Sequence, residues 1–339
     1  MRGGICFALV VALLAGHSAY AEDELVAAAK KEGQAIWYTT QIVNQVARPI
    51  ADAFQKKYGI KVTPIRADAA EVVLRIVNEA KAGAVQADVF DGTSSAPALK
   101  KAGLVAQWQP EAAKSFPSQY YDKDGYWTAT NLYIIAPTTN TQLVPRGTEP
   151  KRWEDLLDPK YSGQIAVSDG AATSGGAGLV GDVLHDMGEA KGIEYLHRLA
   201  QQKVAVLGGS ARTVTDQVLQ GEYAIGLMVS NNQPTSSARQ GAPVDTLSWS
   251  SSIAAVNAAG LLRGARHPNA GKLLLEFLVS PEAQRIFADA DYLPVNPAVP
   301  PNDPRLVPST GGFKAFYLTP EEIDAKIGGW DTTFNTIFK

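Results

Sequence analysis

The first hundred residues alternate short apolar runs with longer stretches of helical spacing. Apolar runs at residues 35–38, 60–65 and 87–90 have the length of buried strands. Between them, residues 46–58 and 69–82 carry apolar side chains at every third or fourth position, which predicts two helices. Because strand and helix alternate, the pattern predicts a mostly parallel sheet flanked by helices, with the loops that follow the strands gathered along one edge.

A second block with the same alternation begins further along the chain, where residues 165–167, 204–207 and 223–229 predict three more strands. We expect the chain to cross between two lobes near residues 129–131 and 246–252. The predicted fold is therefore α/β with two lobes, the second inserted into the first. The predicted boundaries are a signal peptide at 1–21, lobe 1 at 22–129 plus 252–300, and lobe 2 at 130–251 plus 301–339. Near the end, residues 319–327 predict a capped helix.

The N-terminus has the pattern of a secretory signal peptide. Met1-Arg2 is a basic start, residues 6–15 are apolar, and Ala19-Tyr20-Ala21 is a small-residue cleavage site. Cleavage after Ala21 would remove Cys6, the only cysteine of the sequence, so the mature chain would have no disulfide and no thiolate metal site.

Size and charge narrow the class of protein. The chain has 339 residues, of which 45% are hydrophobic, which suits about two domains that each bury a core. The formal net charge of −3 is small and the basic residues are scattered. We therefore expect neither a nucleic acid partner nor binding to an anionic membrane surface.

The main candidate site lies at residues 165–184, where a strand, a loop of small residues and a helix follow one another. The loop residues Thr173, Ser174, Gly175 and Gly176 precede the helix, whose first N–H groups and dipole favour an anion. The alternative interpretation is a turn whose glycines only permit close packing.

Other candidates lie at the predicted strand ends. Thr39 and Thr40 follow the first strand, and Asp91, Thr93 and Ser94 follow the third, where Asp91 would meet an amine or hydroxyl of a ligand. Ser95 is the predicted cap of the next helix. In the second block the corresponding candidates are Ser210, Ser230, Asn231 and Asn232.

Charged and aromatic candidates complete the predicted site. Arg66 and Arg212 would form a clamp on an anion, although each also fits an ordinary surface position. Tyr38 and Trp249 would stack on a ring or an ammonium group, with core packing as the alternative. Ser174 and His185 hint at a hydrolase, but the segment lacks a G-x-S-x-G turn. No group of residues predicts a metal site.

Five blocks together resemble bacterial periplasmic solute-binding proteins of ABC importers. They lie at residues 87–91, 99–104, 153–163, 164–178 and 272–295. They look most like the branch that binds ferric iron, phosphonates, sugar phosphates, thiamine and polyamines. The resemblance implies a type II periplasmic-binding-protein fold, in which two lobes joined by two strands close on a small ligand in the periplasm. It also implies delivery to a permease and its ATPase in the inner membrane, without catalysis or a cofactor, by a protein that we expect to be a monomer.

One departure from this family bears on the ligand. The resemblance implies adjacent tyrosines after the strand at 223–229 in ferric-binding members, whereas Ser230, Asn231 and Asn232 stand there in this sequence. The first loop reads Thr39-Thr40-Gln41 where those members have a histidine. We therefore expect a small anionic organic solute held by hydrogen bonds. Ferric iron bound through a synergistic anion, an exported hydrolase and a structural or adhesive surface protein are the alternatives.

Overall fold

The computed structural model describes residues 22–170, 172–247 and 252–339. The predicted signal peptide at residues 1–21 lies outside the described residues, as does Trp249. The strands are β1 (Gln34–Thr39), β2 (Lys61–Arg66), β3 (Val89–Gly92), β4 (Val105–Ala106), β5 (Thr128–Asn140), β6 (Ile165–Ser168), β7 (Ala205–Leu207), β8 (Ile225–Ser230), β9 (Val244–Thr246), β10 (Ile253–Leu262), β11 (Leu293–Pro294) and β12 (Phe316–Leu318).

The helices alternate with these strands over most of the chain. They are α1 (22–32), α2 (Arg48–Tyr58), α3 (Ala69–Lys81), α4 (Ser95–Lys101), α5 (Gly176–Met187), α6 (Glu189–Gln201), α7 (Ala211–Leu219), α8 (Asn232–Arg239), α9 (Pro268–Leu278), α10 (Pro281–Asp289), α11 (Pro308–Gly311) and α12 (Pro320–Phe338). Among the residues described, no helix is both long enough and apolar enough to cross a membrane. The predicted mixed α/β fold is confirmed.

The chain forms two compact units. Unit 1 contains the described residues up to Ser115 together with Tyr121–Thr128 and Ala259–Ala283, and unit 2 contains Phe116–Tyr120, Ala129–Ala258 and Gln284–Lys339. Strands β5 and β10 each contain residues of both units. The sequence placed the second crossing at 246–252, whereas the units divide after Ala258. That part of β10 is rich in alanine, a residue with little strand propensity, so its sequence does not mark a long buried strand.

Unit 1 contains the first alternating block. Its strands lie in the order β2, β1, β3, and β1 is parallel to both neighbours. The core contains Trp37, Phe54, Phe90 and Phe277, all fully buried, and the Phe54 and Phe277 rings meet edge to face at 5.4 Å. Helix α2 ends at Gly59, whose φ of 73° is the left-handed conformation that glycine adopts without strain.

Unit 2 contains the second block. Its strands lie in the order β5, β8, β6, β7, where β6 is parallel to β7 and β8 and β5 is antiparallel to β8. The core surrounds Trp153 and Tyr195, and the Tyr195 hydroxyl donates to the Trp153 carbonyl at 2.6 Å.

The C-terminal helix differs from the prediction. Thr319 caps α12 in a capping box with Glu322, as expected, but the helix continues to Phe338 instead of ending near residue 327. The prediction was wrong because Trp330 and Phe334 pack against α5 of unit 2. A Cβ built on Gly176 would lie 2.4 Å from the Phe334 ring, and one on Gly181 would lie 2.6 Å from the Trp330 ring. This contact outweighs the poor helix propensity of Gly328-Gly329.

Candidate functional site

Three loops of unit 2 lie along one edge of its sheet. Because β6 is parallel to β7 and β8 in close register, the carboxyl ends of the three strands meet there. Each loop leads into a helix, and no side chain caps the start of α5, α7 or α8. The first N–H groups of a helix have no partner within the helix. We call these loops the unit 2 edge, and its described candidates are Thr173, Ser174, Gly175, Gly176, Ser210, Ser230, Asn231 and Asn232.

The loop between β6 and α5 is held by close contacts of the main chain. The Gly178 N–H donates to the Ala172 carbonyl at 3.1 Å. A Cβ on Gly175 would lie 2.4 Å from the Gly170 carbonyl oxygen, and one on Gly178 would lie 1.8 Å from the Thr173 carbonyl oxygen. Close packing therefore requires these glycines, as the alternative interpretation supposed. Thr173 is buried and Ser174 is partly exposed.

The end of β8 buries polar side chains. Ser230, Asn231 and Asn232 are only 7%, 4% and 6% exposed. The Asn231 main chain is fully used, since its N–H donates to Ile134 and its carbonyl accepts from Thr235. Within the described part of the chain, neither side-chain amide has a hydrogen-bond partner. Neither amide is among the fully enclosed polar side-chain atoms of the described residues that lack a partner, so both keep enough access for a ligand to reach them.

Ser210 and Arg212 lie at the start of α7. Ser210 is the exposed N-cap residue. Arg212 is 58% exposed, and its Nε donates to Asp216 Oδ1 at 2.8 Å, one helical turn further along. The guanidinium of Arg212 is thus paired on its own helix, which fits the surface alternative better than the predicted clamp.

The corresponding loops of unit 1 follow β1, β2 and β3, and we call them the unit 1 edge. Asp91 is fully buried and connects two of these loops. Its Oδ2 accepts from the Thr39 hydroxyl, and its Oδ1 accepts from the Thr40 N–H at 2.8 Å and the Thr40 hydroxyl at 2.7 Å. The Asp91 side chain thus has an internal role, holding the first loop to the third, that its sequence position did not reveal.

Thr93 and Ser94 are partly exposed at the same edge. Neither hydroxyl has a hydrogen-bond partner among the described residues. Ser94, not Ser95, occupies the N-cap position of α4, which corrects the predicted cap. Ser95 is instead the first helical residue, and its hydroxyl donates to the Asp91 carbonyl at 3.3 Å.

Tyr38 and Arg66 do not lie as predicted. Tyr38 is 1% exposed, its hydroxyl donates to Glu79 Oε1 at 2.6 Å, and the Arg75 guanidinium covers its ring at 4.5 Å. Burial, together with the hydrogen bond to Glu79, raises the pKa of Tyr38 to about 12. The expected stacking on a ligand is therefore wrong, because the ring is already covered. Arg66 is 51% exposed and pairs with Asp68 at 3.1 Å, as a surface arginine does.

Ser174 and His185 do not have the geometry that the hydrolase alternative requires. Ser174 precedes α5 and His185 lies in its last turn, so at 1.5 Å per residue the two are roughly 15 Å apart along the helix. The His185 ring stacks on Phe316 at 3.8 Å. The pair cannot act as nucleophile and base.

One feature of unit 2 had no signal in the sequence. A narrow crevice, too small to hold a water molecule, is lined in part by Asn231, Thr246, Ser252 and Arg305. The Thr246 and Ser252 hydroxyls are buried there without a hydrogen-bond partner. Arg305 pairs with Asp303 at 2.8 Å and lies in the proline-rich stretch at residues 294–308.

These edges and this fold define a class of protein, the two-lobed solute receptors whose strand-end loops meet a small ligand. The chain belongs to the bacterial extracellular solute-binding protein family, whose model matches residues 37–292. A Salmonella paratyphi A protein named for periplasmic binding of 2-aminoethylphosphonate is 26% identical over 295 residues, which cover 84% of this chain and 81% of that protein. The predicted family is thus confirmed.

Solved structures share the fold. The periplasmic binding protein AfuA of Actinobacillus pleuropneumoniae, determined with fructose-6-phosphate, is 22% identical with a TM-score of 0.69, covering 89% of this chain and 99% of AfuA. Iron-bound HitA of Pseudomonas aeruginosa is also 22% identical, with a TM-score of 0.73 and coverage of 90% and 99%. The protein is a periplasmic solute-binding protein of the ABC-importer type, and members of this family are transport proteins that bind substrates.

Proposed function

We propose that the protein captures a small anionic organic solute, bearing a phosphate, phosphonate or carboxylate group, by closure of its two lobes. In this proposal it acts as a monomer and delivers the solute to an inner-membrane permease and its ATPase. The observation that carries the proposal is the unit 2 edge, where three uncapped helix starts and the two side-chain amides of Asn231 and Asn232 lie at the ends of parallel strands.

The chemistry of this edge favours an anion. Helix starts offer N–H donors and the positive ends of their dipoles, each worth about 0.3–1 kcal/mol to a nearby anion. The Asn231 and Asn232 amides add neutral donors, and no acidic residue lies in the first turn of α5, α7 or α8. Charge on the ligand would therefore be met by dipoles and hydrogen bonds rather than by Arg66 or Arg212, which are both paired with aspartates.

Similar proteins support this class of ligand. The Salmonella protein named for 2-aminoethylphosphonate and the AfuA complex with fructose-6-phosphate both concern phosphorus oxyanions on small organic molecules. HitA is an iron-bound neighbour, but iron(III) needs anionic oxygen ligands, and amides at the end of β8 cannot supply that charge.

Calorimetric titration of the chain without residues 1–21 tests the proposal. We expect saturable binding of 2-aminoethylphosphonate or fructose 6-phosphate, and weaker binding by Asn231→Leu, which removes one unpartnered amide. Thr332→Val, at an exposed position of α12, is the control and should bind like the parent protein. Absence of binding to phosphate, phosphonate and carboxylate compounds alike, or a visible charge-transfer band on adding iron(III), would contradict the proposal.

A further inference from the structure

We infer that Met228 is a positioning residue for the solute site. It adopts a strained conformation in a β-bulge of strand β8, and this bulge sets how the chain reaches Ser230, Asn231 and Asn232. The inference rests on the proposed function, in which this end of β8 meets the solute. It adds a residue from the interior of the sheet to a site that otherwise consists of loop residues.

The first step is the backbone of Met228, which has a φ of 56°. This left-handed region is unfavourable for a residue with a side chain, because the Cβ atom approaches the following carbonyl oxygen. Lys203 and Asp291 are the other non-glycine residues of the described ranges with a positive φ, and both lie in loops. Met228 instead lies inside a strand and is fully buried. Strain of this kind persists where the surrounding structure holds it, and it is concentrated at functional sites.

The second step is the cause of this conformation, which lies in the neighbouring strand β5. The register between β5 and β8 shifts between Ala136 and Thr138. At the shift, Pro137 lies opposite two residues of β8, Leu227 and Met228, and one extra residue on one strand makes a β-bulge. Proline has no N–H to donate to a neighbouring strand, so within sheets it is confined to edges and bulges. Pro137 therefore explains why the pairing is irregular at this point.

The third step is the packing on the two faces of the sheet. In the neighbouring strand β6 the side chains alternate, with Val167 in the main core of unit 2 and Ala166 in a small cluster on the opposite face. In β8, Leu227 and Met228 are consecutive and yet both belong to the main core. Val229 joins Ala166 on the opposite face, where a regular strand would place it with Leu227. The bulge thus reverses the alternation of β8.

The fourth step is the effect on the end of β8. Ser230 lies opposite Ile135, and the Asn231 N–H donates to the Ile134 carbonyl at 2.9 Å, so the shifted register is kept until the chain enters α8. In a regular strand Ser230 would lie opposite Ile134 and on the other face of the sheet. The bulge therefore determines which polar groups the loop after β8 presents at the unit 2 edge.

The test separates the conformation of residue 228 from the burial of its side chain. Met228→Gly loses more buried surface than Met228→Val, but glycine adopts the left-handed region without strain, whereas a residue branched at Cβ is strongly disfavoured there. Calorimetric titration with 2-aminoethylphosphonate, fructose 6-phosphate and succinate measures affinity, and urea denaturation measures stability. We expect Met228→Gly to bind within about twofold of the parent protein and Met228→Val to bind about tenfold more weakly, because fewer molecules keep the bulge.

Leu227→Val is the matched control, since it trims a fully buried side chain of the same strand and the same core at a residue without a positive φ. It should lower the urea midpoint and leave the affinity unchanged. The comparison of Met228→Val with Leu227→Val is decisive even where Met228→Gly does not fold.

Two outcomes would overturn the inference and leave the proposed function intact. One is an affinity that falls in step with stability through all the variants, which is the behaviour of a residue with a structural role alone. The other is full affinity in Met228→Val. Failure of the parent protein to bind all three compounds would instead contradict the proposed function, and the inference with it.

Discussion

The two edges have the same topology but hold their loops by different means. In each unit three parallel strands end at one edge. The middle strand is β1 in unit 1 and β6 in unit 2. In unit 2 the loop before α5 is held by contacts of glycine main chain, and the amides of Asn231 and Asn232 after β8 bind no other described side chain. In unit 1 the loop is held by side chains, since Thr39 and Thr40 bind Asp91. A loop that is held by backbone contacts leaves its polar side chains available to a ligand. A loop that is held by side chains uses those side chains for its own structure.

The largest expected effect comes from breaking the main-chain contacts of unit 2. A Cβ on Gly178 would lie 1.8 Å from the Thr173 carbonyl oxygen, which is backbone and cannot move aside cheaply. We expect Gly178→Ala to lower the free energy of unfolding by about 3 kcal/mol, measured by urea denaturation. Gly208→Ala is the control, because a Cβ there meets nothing within 4 Å. Similar losses for both variants would show that this loop is not held by close packing.

A charge placed at a helix start of each unit tests whether the anion binds at the unit 2 edge. Ser174→Asp puts a like charge beside α5 and should weaken binding of an anionic solute about 10- to 100-fold in calorimetry. Ser94→Asp makes the same change at the N-cap of α4 in unit 1 and should not weaken binding. Both aspartates lie near helix starts, where acidic residues are stabilising, so neither should lower the unfolding temperature. Equal loss of affinity in both would remove the distinction between the edges.

Much of this comparison could be predicted from local sequence. The apolar run at residues 35–38 and the polar residues after it locate β1 and its loop, because burial and strand length leave a direct pattern. The small residues after β6 likewise indicate a loop and a helix start. Strand length, burial and small loop residues are short-range properties of the sequence. Once the strands are known to be parallel, the loops that follow them must lie at the same edge of the sheet.

The sequence could not show which partners these residues meet. Asp91 lies 52 residues from Thr39, and nothing at either position indicates that they bind. Phe334 lies 158 residues after Gly176 (334 − 176), so the length of α12 depends on a contact that local propensity does not contain. Tyr38 and Ser95 were misassigned for the same reason, since Glu79 and the Asp91 carbonyl became their partners through the fold.

Breaking the side-chain contacts of unit 1 should have an intermediate effect. Thr39→Val keeps the side-chain shape but leaves Asp91 Oδ2 and the Gln41 N–H each without one partner in a buried position. We expect a loss of about 1–3 kcal/mol in urea denaturation. Thr93→Val should leave stability unchanged. An unchanged stability of Thr39→Val would show that side chains do not hold this loop.

The smallest effect concerns Tyr38, a buried residue of β1 that directly precedes Thr39. Tyr38→Phe removes the hydrogen bond to Glu79 and should cost about 1 kcal/mol of stability without changing solute affinity, because the ring is core and not ligand contact. Since the pKa of Tyr38 is raised to about 12 in the folded protein, its stabilisation is complete below pH 10 and is lost as the pH rises from 10 towards 12. Urea denaturation across this range should therefore show a steeper loss for the parent protein than for Tyr38→Phe. A change in solute affinity in Tyr38→Phe would show that this residue contacts the solute. The side chains that hold the loops of unit 1 could then not be separated from those that bind the solute.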